Sequence, residues 1–243
     1  MKTVAIIQAR MGSTRLPGKV LRRLCGQSVL AHVVARVKSS RRLDGVMIAT
    51  TNSPADDAVV AECGKLKVPF FRGSEEDVLA RYFGAAQAAG ADVIVRVTSD
   101  CPLFDGALLD EMLEVFRGAN ADYLSNTLKR TFPRGLDAEI FTFAALESAH
   151  REAAKPHERE HVTPFFYGHP ELFRLRSFEG AVDLSAHRWT LDTAEDWEFV
   201  RAIYDALAKG GRMFSTEDVL KLLKERPELT ILNTHVEQKK SGG

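Results

Sequence analysis

Residues 4–19 of this chain read VAIIQARMGSTRLPGK, an apolar run that passes directly into a loop of glycines, hydroxyls and cations. The run 4–7 is short and rich in β-branched residues, which predicts a buried strand. In the loop 9–19, two glycines let backbone N–H groups approach an anion, and three cations offset its charge. We therefore predict that a first strand leads into a phosphate-binding loop.

The glycine spacing of this loop separates it from two common phosphate-binding motifs. Gly12 and Gly18 are one residue too far apart for a Walker A loop, and Val20 replaces the magnesium-binding Ser or Thr of that motif. The G-x-G-x-x-G spacing of a Rossmann fingerprint is absent as well. The residues alone thus indicate a phosphate site of another type, with a polar surface loop as the alternative.

Short strand-like runs alternate with helical stripes through the first half of the chain. Strands are predicted at 46–49, 68–71 and 92–98, and helices at 29–38, from Ser53, from Ser74 to Gly90 and at 108–116. Because helices separate successive strands, the strands should be mostly parallel in a doubly wound α/β sheet. Ligands of such sheets bind at the carboxyl ends of the strands, which is where the loop 9–19 would lie.

The pattern changes past Tyr123. A strand at 139–143 and two helices after it predict an inserted α+β lobe at 123–187, which covers the ligand site or pairs subunits into a homodimer. A sheet-like run returns at 188–191, before a helix at 195–208. We expect one domain over 1–236, with this lobe inserted, and a disordered polar tail at 237–243.

Composition narrows the class of protein. The 243 residues contain 33 Lys and Arg against 33 Asp and Glu, and this neutral balance argues against a nucleic-acid partner. No window approaches the roughly 18 apolar residues of a membrane span. The three cysteines lie far apart, which fits reduced thiols and a cytoplasmic location.

Several blocks of sequence together resemble one enzyme family. The loop 9–19, ARMGSTRLPGK, is similar to the signature of the sugar cytidylyltransferases, which include the acylneuraminate and KDO enzymes. The resemblance is strongest to the branch named for spore-coat polysaccharide biosynthesis protein F. Further matching blocks lie in order at 73–82, 98–103, 133–139, 159–164 and 191–196.

This resemblance implies a GT-A-like (Rossmann-like) fold in which CTP is the donor, a sugar the acceptor and Mg²⁺ the cofactor. The reaction would release pyrophosphate and serve surface or spore-coat polysaccharide biosynthesis. The family's metal ligands correspond to Asp100 and Asp192, which are predicted to lie at strand ends. The residues implied to bind CTP are Ala9, Arg10, Gly12, Ser13, Arg15 and Lys19 in the loop, and Arg72 and Ser74 near the base. The residues that the resemblance implies for catalysis are Arg15, Lys19, Asp100 and Asp192.

Local roles compete with these functional ones. Asp100 precedes Cys101-Pro102 and could open a turn, and Asp192 could cap the helix that follows. Asp77 and Arg81 have the i, i+4 spacing of an ion pair on a helix surface. In the lobe, we expect acceptor contacts from Arg134, Asp137 and Glu139.

A literal zinc-hydrolase motif, HEREH, spans residues 157–161. Two histidines on one helical face could bind zinc, and Glu158 could activate its water. However, Pro156 and Pro164 leave little room for a helix, and no third histidine follows at the metzincin spacing. The same block also matches the cytidylyltransferases through residues 159–164, so we expect no zinc here.

Two further functions and the identity of the acceptor stay open. A GT-A glycosyltransferase would share the fold but consume a nucleotide sugar, and a non-catalytic module would bind a nucleotide without turnover. Ile7-Gln8 stands where the sialate and KDO enzymes usually have Ile-Pro. The acceptor is therefore a 2-keto sugar acid, a hexose derivative or an amino sugar.

Overall fold

A computed structural model describes residues 1–238. A seven-stranded sheet has the strand order β5-β4-β1-β6-β8-β7-β9, and β2 and β3 form a separate hairpin. The strands are β1 (Thr3–Gln8), β2 (Arg23–Leu24), β3 (Gln27–Ser28), β4 (Gly45–Thr51), β5 (Phe70–Gly73), β6 (Val93–Thr98), β7 (Tyr123–Ser125), β8 (Glu139–Thr142) and β9 (Leu175–Ser177). Only β8 pairs antiparallel to its neighbours in the large sheet, so the predicted mostly parallel sheet is confirmed.

The helices follow the predicted alternation. They are α1 (Val29–Lys38), α2 (Asp57–Leu66), α3 (Val78–Ala89), α4 (Gly106–Gly118), α5 (Phe143–Glu152), α6 (Pro156–His161), α7 (Pro164–Gly168), α8 (Ala194–Leu207), α9 (Thr216–Glu225) and α10 (Glu228–Ile231). Within residues 1–238, no helix combines the length and the apolar character needed to cross a membrane.

Alternate residues of β1 show that helices cover both faces of the sheet. Ala5 and Ile7 pack into the core formed with α1 and α4, whereas Val4 and Ile6 pack into the core formed with α3 and α5. This alternation follows from the two-residue period of a strand. The doubly wound architecture is therefore confirmed, with the most apolar strands at its centre.

The predicted sheet strand at 188–191 is wrong. Only Arg188 forms a bridge, to Arg134, and the segment runs past the loop before β8. Trp189 and Leu191 are fully buried, so their apolar character reflects core packing rather than strand pairing. The contact is close because Gly135 has φ +103°, and a Cβ there would lie 2.6 Å from the Trp189 carbonyl carbon.

The predicted strand at 68–71 begins two residues later, at Phe70, because the Val68 N–H donates to the Cys63 carbonyl at the end of α2 and is not available for strand pairing.

The segment 123–187 contributes β7, β8 and β9 to the same large sheet, together with α5 to α7. Its proposed role in acceptor binding or dimerisation remains a prediction. Of the predicted disordered tail, residues 239–243 lie outside the described residues.

Candidate active site

A cavity of about 580 Å³ opens at the carboxyl ends of β1 and β6. Its wall contains most of the predicted donor-side residues: Ala9, Arg10, Gly12, Ser13, Arg15, Lys19, Asp100 and Asp192. This is the position expected for a ligand of a doubly wound sheet. The loop and the two aspartates, which are distant in sequence, therefore meet at one site.

The loop is fixed to the sheet by hydrogen bonds at its start. The Ala9 N–H donates to the Ala49 carbonyl at 3.1 Å, and the Met11 N–H donates to Asp56 Oδ1 at 2.7 Å. Asp56 is 2% exposed, and its other carboxylate oxygen accepts from the Thr51 hydroxyl. Sequence reasoning missed this residue, whose only local signal is its place in the turn that opens α2.

Replacing Asp56 by alanine should therefore raise the KM for the nucleotide by about tenfold, because the Met11 N–H and the buried Thr51 hydroxyl lose their acceptor and the loop is no longer held. Asp110 offers a matched control, since its carboxylate also accepts two loop N–H groups, from Arg41 and Arg42, away from the cavity. Steady-state kinetics and thermal melting of both alanine variants measure the effect. Equal KM values in the two variants would contradict the anchoring role.

Lys19 lies at the centre of the site. Its ammonium donates to Asp100 Oδ2 at 2.9 Å, Asp192 Oδ1 at 2.8 Å and the Leu191 carbonyl at 2.9 Å. Burial lowers the pKa of Lys19, but the two aspartates raise it by more, so the net shift is upward. For Asp100 the directions are reversed: burial raises the pKa of the carboxyl, but the neighbouring Lys19 ammonium lowers it by more, so the pKa lies below its ordinary value. Lys19 is thus held charged between two carboxylates.

Asp100 follows β6 in a turn, yet its side chain faces the cavity. The Thr98 hydroxyl donates to its Oδ1 at 2.5 Å, and its backbone carbonyl accepts from the Leu191 N–H at 2.8 Å. That backbone bond explains how Asp192 reaches the site although 188–191 is not a sheet strand. The two aspartates are joined both through the backbone and through Lys19.

Asp192 is not the cap of α8. Thr193 is the N-cap, and its hydroxyl accepts from the Asp196 N–H at 3.3 Å, while Asp196 receives the Thr193 N–H at 3.0 Å. Asp196 also forms a buried two-point ion pair with Arg188. The Asp192 carboxylate is therefore left to the site, where Arg15 and Lys19 donate to its two oxygens.

The carboxylate oxygens of the site fit a divalent cation that prefers oxygen ligands. Two carboxylates converge on one ammonium, and Mg²⁺ is usually held by one or two carboxylates together with phosphate oxygens and water. Among residues 1–238, no three His, Cys, Asp or Glu side chains form a metal cluster. The arrangement therefore suits a metal ion that binds together with a phosphorylated ligand, rather than one whose ligands all come from the protein.

Arg72 and Ser74, predicted near the base, do not line this cavity. The Arg72 guanidinium donates to the carbonyls of Thr51 and Ser53 and pairs with Asp57 at 2.7 Å. The Ser74 hydroxyl accepts from the Asp77 N–H at 3.0 Å. A contact of either side chain with a nucleotide remains a prediction that this geometry does not support.

The alternative ion pair of Asp77 with Arg81 is not formed. Asp77 caps α3 and pairs instead with Arg159 at 2.5 Å. Arg81 is 3% exposed, donates to the carbonyls of Ser74 and Glu75, and lines the cavity. Contacts with residues outside α3 therefore replace the i, i+4 ion pair that the spacing of Asp77 and Arg81 predicts.

A second cavity, of about 410 Å³, adjoins the first and shares Thr98 and His161 with it. Asp137 and Glu139, two of the predicted acceptor residues, line this second cavity, whereas Arg134 does not. Asp137 receives two hydrogen bonds from Arg130, at 2.6 and 2.9 Å. The two cavities place a candidate acceptor pocket beside the carboxylates.

Comparison with known proteins decides the family. A family model described as cytidylyltransferase matches residues 4–225. The chain belongs to the cytidylyltransferase family. It is therefore an enzyme, and the zinc hydrolase and the non-catalytic nucleotide-binding module are set aside.

Three relatives of this cytidylyltransferase cover nearly its whole length. It is 38% identical to an uncharacterized protein of Methanocaldococcus jannaschii over 243 aligned residues, covering 98% of this chain and 97% of that protein. It is 37% identical to the spore coat polysaccharide biosynthesis protein SpsF of Bacillus subtilis, covering 92% of this chain and 94% of SpsF. The structure of a cytidylyltransferase from Leptospira borgpetersenii superposes with a TM-score of 0.91 at 36% identity, covering 98% and 100% of the two chains.

The HEREH segment of this cytidylyltransferase has a structural role. It forms the six-residue helix α6, in which Glu158 is buried and accepts from the Lys155 N–H at 3.2 Å. Glu158 therefore caps its own helix and is not free to activate a metal-bound water. His161 instead lines both cavities, a position that only the matching block 159–164 hinted at.

Gln8, Thr98 and Gln238 also line the first cavity of the cytidylyltransferase, and sequence reasoning gave them no role. Thr98 ends a predicted strand two residues before Asp100, a signal that could have found it. Gln238 gave no such signal; its side-chain carbonyl accepts a hydrogen bond from Arg188 at 2.7 Å, a contact between residues 50 apart in sequence.

Proposed function

We propose that this chain transfers the cytidylyl group of CTP to a sugar hydroxyl, with Mg²⁺ as cofactor and pyrophosphate as the second product. The observation that supports this most is the convergence of Arg15, Lys19, Asp100 and Asp192 in one cavity. Family membership supplies the donor, because a cytidylyltransferase uses CTP.

In the proposed reaction, the acceptor oxygen forms a bond to the α-phosphorus, and the bond from that phosphorus to the bridging oxygen of the pyrophosphate breaks. The hydroxyl proton leaves to solvent. Arg15 and Lys19 stabilise the charge that develops on the departing pyrophosphate. Asp100 and Asp192 would hold Mg²⁺, which supplies polarisation of the phosphate oxygens when bound. Thr98 orients Asp100 through its hydrogen bond.

The similarity to SpsF of Bacillus subtilis supports a place in polysaccharide biosynthesis. The sugar product would then be an activated unit for a glycosyltransferase that builds a surface or spore-coat polymer. We propose the cytoplasm as the compartment, since CTP is available there. Dimerisation through the segment 123–187 remains part of this proposal.

The test is pyrophosphate release in a matrix of nucleotides and acceptors. The purified chain is incubated with CTP, UTP, ATP or GTP, with and without Mg²⁺, and with hexoses, amino sugars or 2-keto sugar acids. We expect release that requires CTP, the metal and one class of sugar together. Thermal stabilisation by CTP without release from any combination would contradict the proposal, and so would turnover of a nucleotide sugar in place of CTP.

A further inference from the structure

Each of the four carboxylate oxygens of Asp100 and Asp192 accepts a hydrogen bond from another side chain. Asp100 Oδ1 accepts from the Thr98 hydroxyl at 2.5 Å, and Asp192 Oδ2 accepts from the Arg15 guanidinium. The Lys19 ammonium donates to the remaining two, Asp100 Oδ2 at 2.9 Å and Asp192 Oδ1 at 2.8 Å. Two cationic side chains therefore balance the charge of the two aspartates that we propose as metal ligands.

The Lys19 ammonium and a divalent cation would compete for the same pair of carboxylates. The ammonium lies at hydrogen-bond distance from both carboxylates and donates to the Leu191 carbonyl as a third partner. Lys19 is 9% exposed, so salt and solvent screen its charge only weakly. A second cation bound by both aspartates would therefore be strongly repelled while the ammonium stays in place.

A triphosphate would offer both cationic side chains other partners. Lys19 and Arg15 line the first cavity together with the loop that we propose to bind phosphates. Ammonium and guanidinium groups form strong, charge-assisted hydrogen bonds to phosphate oxygens. The Lys19 N–H donates to the Leu16 carbonyl at 3.2 Å at the start of a 3-10 turn, so the backbone can stay in place while the long, flexible side chain turns.

We propose that Lys19 and Arg15 set the order of binding: the triphosphate draws these two side chains away from Asp100 and Asp192, and only then can the carboxylates hold a divalent cation. This inference rests on the proposed function for the identity of the nucleotide and of the metal. The competition between ammonium and cation for the carboxylates does not depend on the reaction. Because binding free energies are linked, the metal must in turn strengthen nucleotide binding by the same factor.

The first measurement is metal binding to the full chain without nucleotide. Mn²⁺ is the probe, because it prefers oxygen ligands as Mg²⁺ does and because its paramagnetic resonance signal reports the unbound ion. We expect weak binding by the wild type and binding at least about tenfold tighter by Lys19→Met, which removes the competing charge. Adding Asp192→Asn to Lys19→Met should abolish the gain, since the gain requires both carboxylates.

Two further variants test whether the effect belongs to the site. Lys65→Met is the matched control, because it removes an ammonium that pairs with Glu62 on the surface of α2, and its Mn²⁺ binding should equal that of wild type. Arg15→Met should increase the affinity for Mn²⁺ by a smaller factor, about threefold, since Arg15 is more exposed than Lys19. Arg15→Met decides the question if melting curves show that Lys19→Met does not fold.

The second measurement adds the nucleotide. Binding of a non-hydrolysable CTP analogue to the wild type is followed by calorimetry in EDTA, and then with Mn²⁺ after correction for the ion that the analogue binds in solution. We expect the analogue to bind without metal, and Mn²⁺ to bind the wild type at least about tenfold more tightly when the analogue is present. The strengthening should be smaller in Lys19→Met.

Mn²⁺ binding by the two methionine variants of the site that is no tighter than by wild type would overturn the inference, and so would wild-type binding that the analogue does not strengthen. Pyrophosphate release in the matrix of nucleotides and acceptors separates this result from the proposed function. Release together with equal Mn²⁺ affinities keeps the function and removes the order of binding. Tighter Mn²⁺ binding by Lys19→Met without release from any combination keeps the competition and removes cytidylyl transfer.

Discussion

Replacing Lys19 by methionine is expected to lower kcat/KM for CTP by about 10³-fold, the scale of losing one fixed charge-stabilising group. The ammonium is the group that joins Asp100 to Asp192, and we propose that it also faces the leaving pyrophosphate. Methionine keeps the length and apolar stem of the side chain and removes only the charge. Lys65→Met is the control, because Lys65 pairs with Glu62 on the surface of α2.

The same variant should lose stability in a pH-dependent manner. The pKa of Asp100 is lowered from 3.8 in the folded protein. Its contribution to the free energy of unfolding is therefore fully present above pH 3.8 and is lost as the pH falls through the lowered pKa. The pKa of Lys19 is raised from 10.5. Its contribution to the free energy of unfolding is therefore fully present below pH 10.5 and is lost as the pH rises through the raised pKa. The difference in melting temperature between wild type and Lys19→Met should therefore be largest near neutral pH. A difference that grows toward acid pH would contradict the pairing.

The second large effect is expected from Asp192→Asn, which should lower kcat by about 10³-fold while CTP still binds. The substitution keeps the shape of the side chain and removes one of the two negative charges proposed to hold the metal. It should also raise the Mg²⁺ concentration for half-maximal activity, a change that a purely structural role would not produce. Asp100→Asn should behave in the same way.

Asp57→Asn provides the matched control for these variants, since Asp57 pairs with Arg72 at 2.7 Å and lies outside the cavity. Steady-state rates over a Mg²⁺ titration distinguish the three asparagine variants. Full activity of Asp192→Asn with an unchanged Mg²⁺ dependence would remove Asp192 from the site.

The central strands and the loop could be predicted from the sequence because their signals are local. β-branched runs at 4–7 and 92–98 are strand-forming and buried, and the position of a loop after the first parallel strand follows from sheet geometry. The position of Asp100 at the cavity could be predicted for the same reason, since it follows closely after a strong strand. These elements needed no knowledge of distant contacts.

The errors share a physical cause, which is long-range contact. The run 188–191 looked like a strand because Trp189 and Leu191 are buried, yet in this run only Arg188 forms a bridge, and the backbone of Trp189 packs closely on Gly135. The base contact predicted for Arg72 stays a prediction, and long-range contact bears on it too, because the carbonyls of Thr51 and Ser53 accept from its guanidinium. Beyond its place in the turn that opens α2, Asp56 carried no local mark of its role, because the N–H group that donates to it belongs to Met11, 45 residues earlier.

The most direct test of the central claim follows the α-phosphate of CTP. The chain is incubated with CTP labelled at that phosphorus, Mg²⁺ and the sugar found in the acceptor screen, and the products are separated. We predict that the label appears in a cytidylyl sugar, in equal amount to unlabelled pyrophosphate, and that Asp192→Asn lowers the rate at which both form by about 10³-fold. Label that stays in CTP, or appears as CMP whether or not a sugar is present, would contradict cytidylyl transfer.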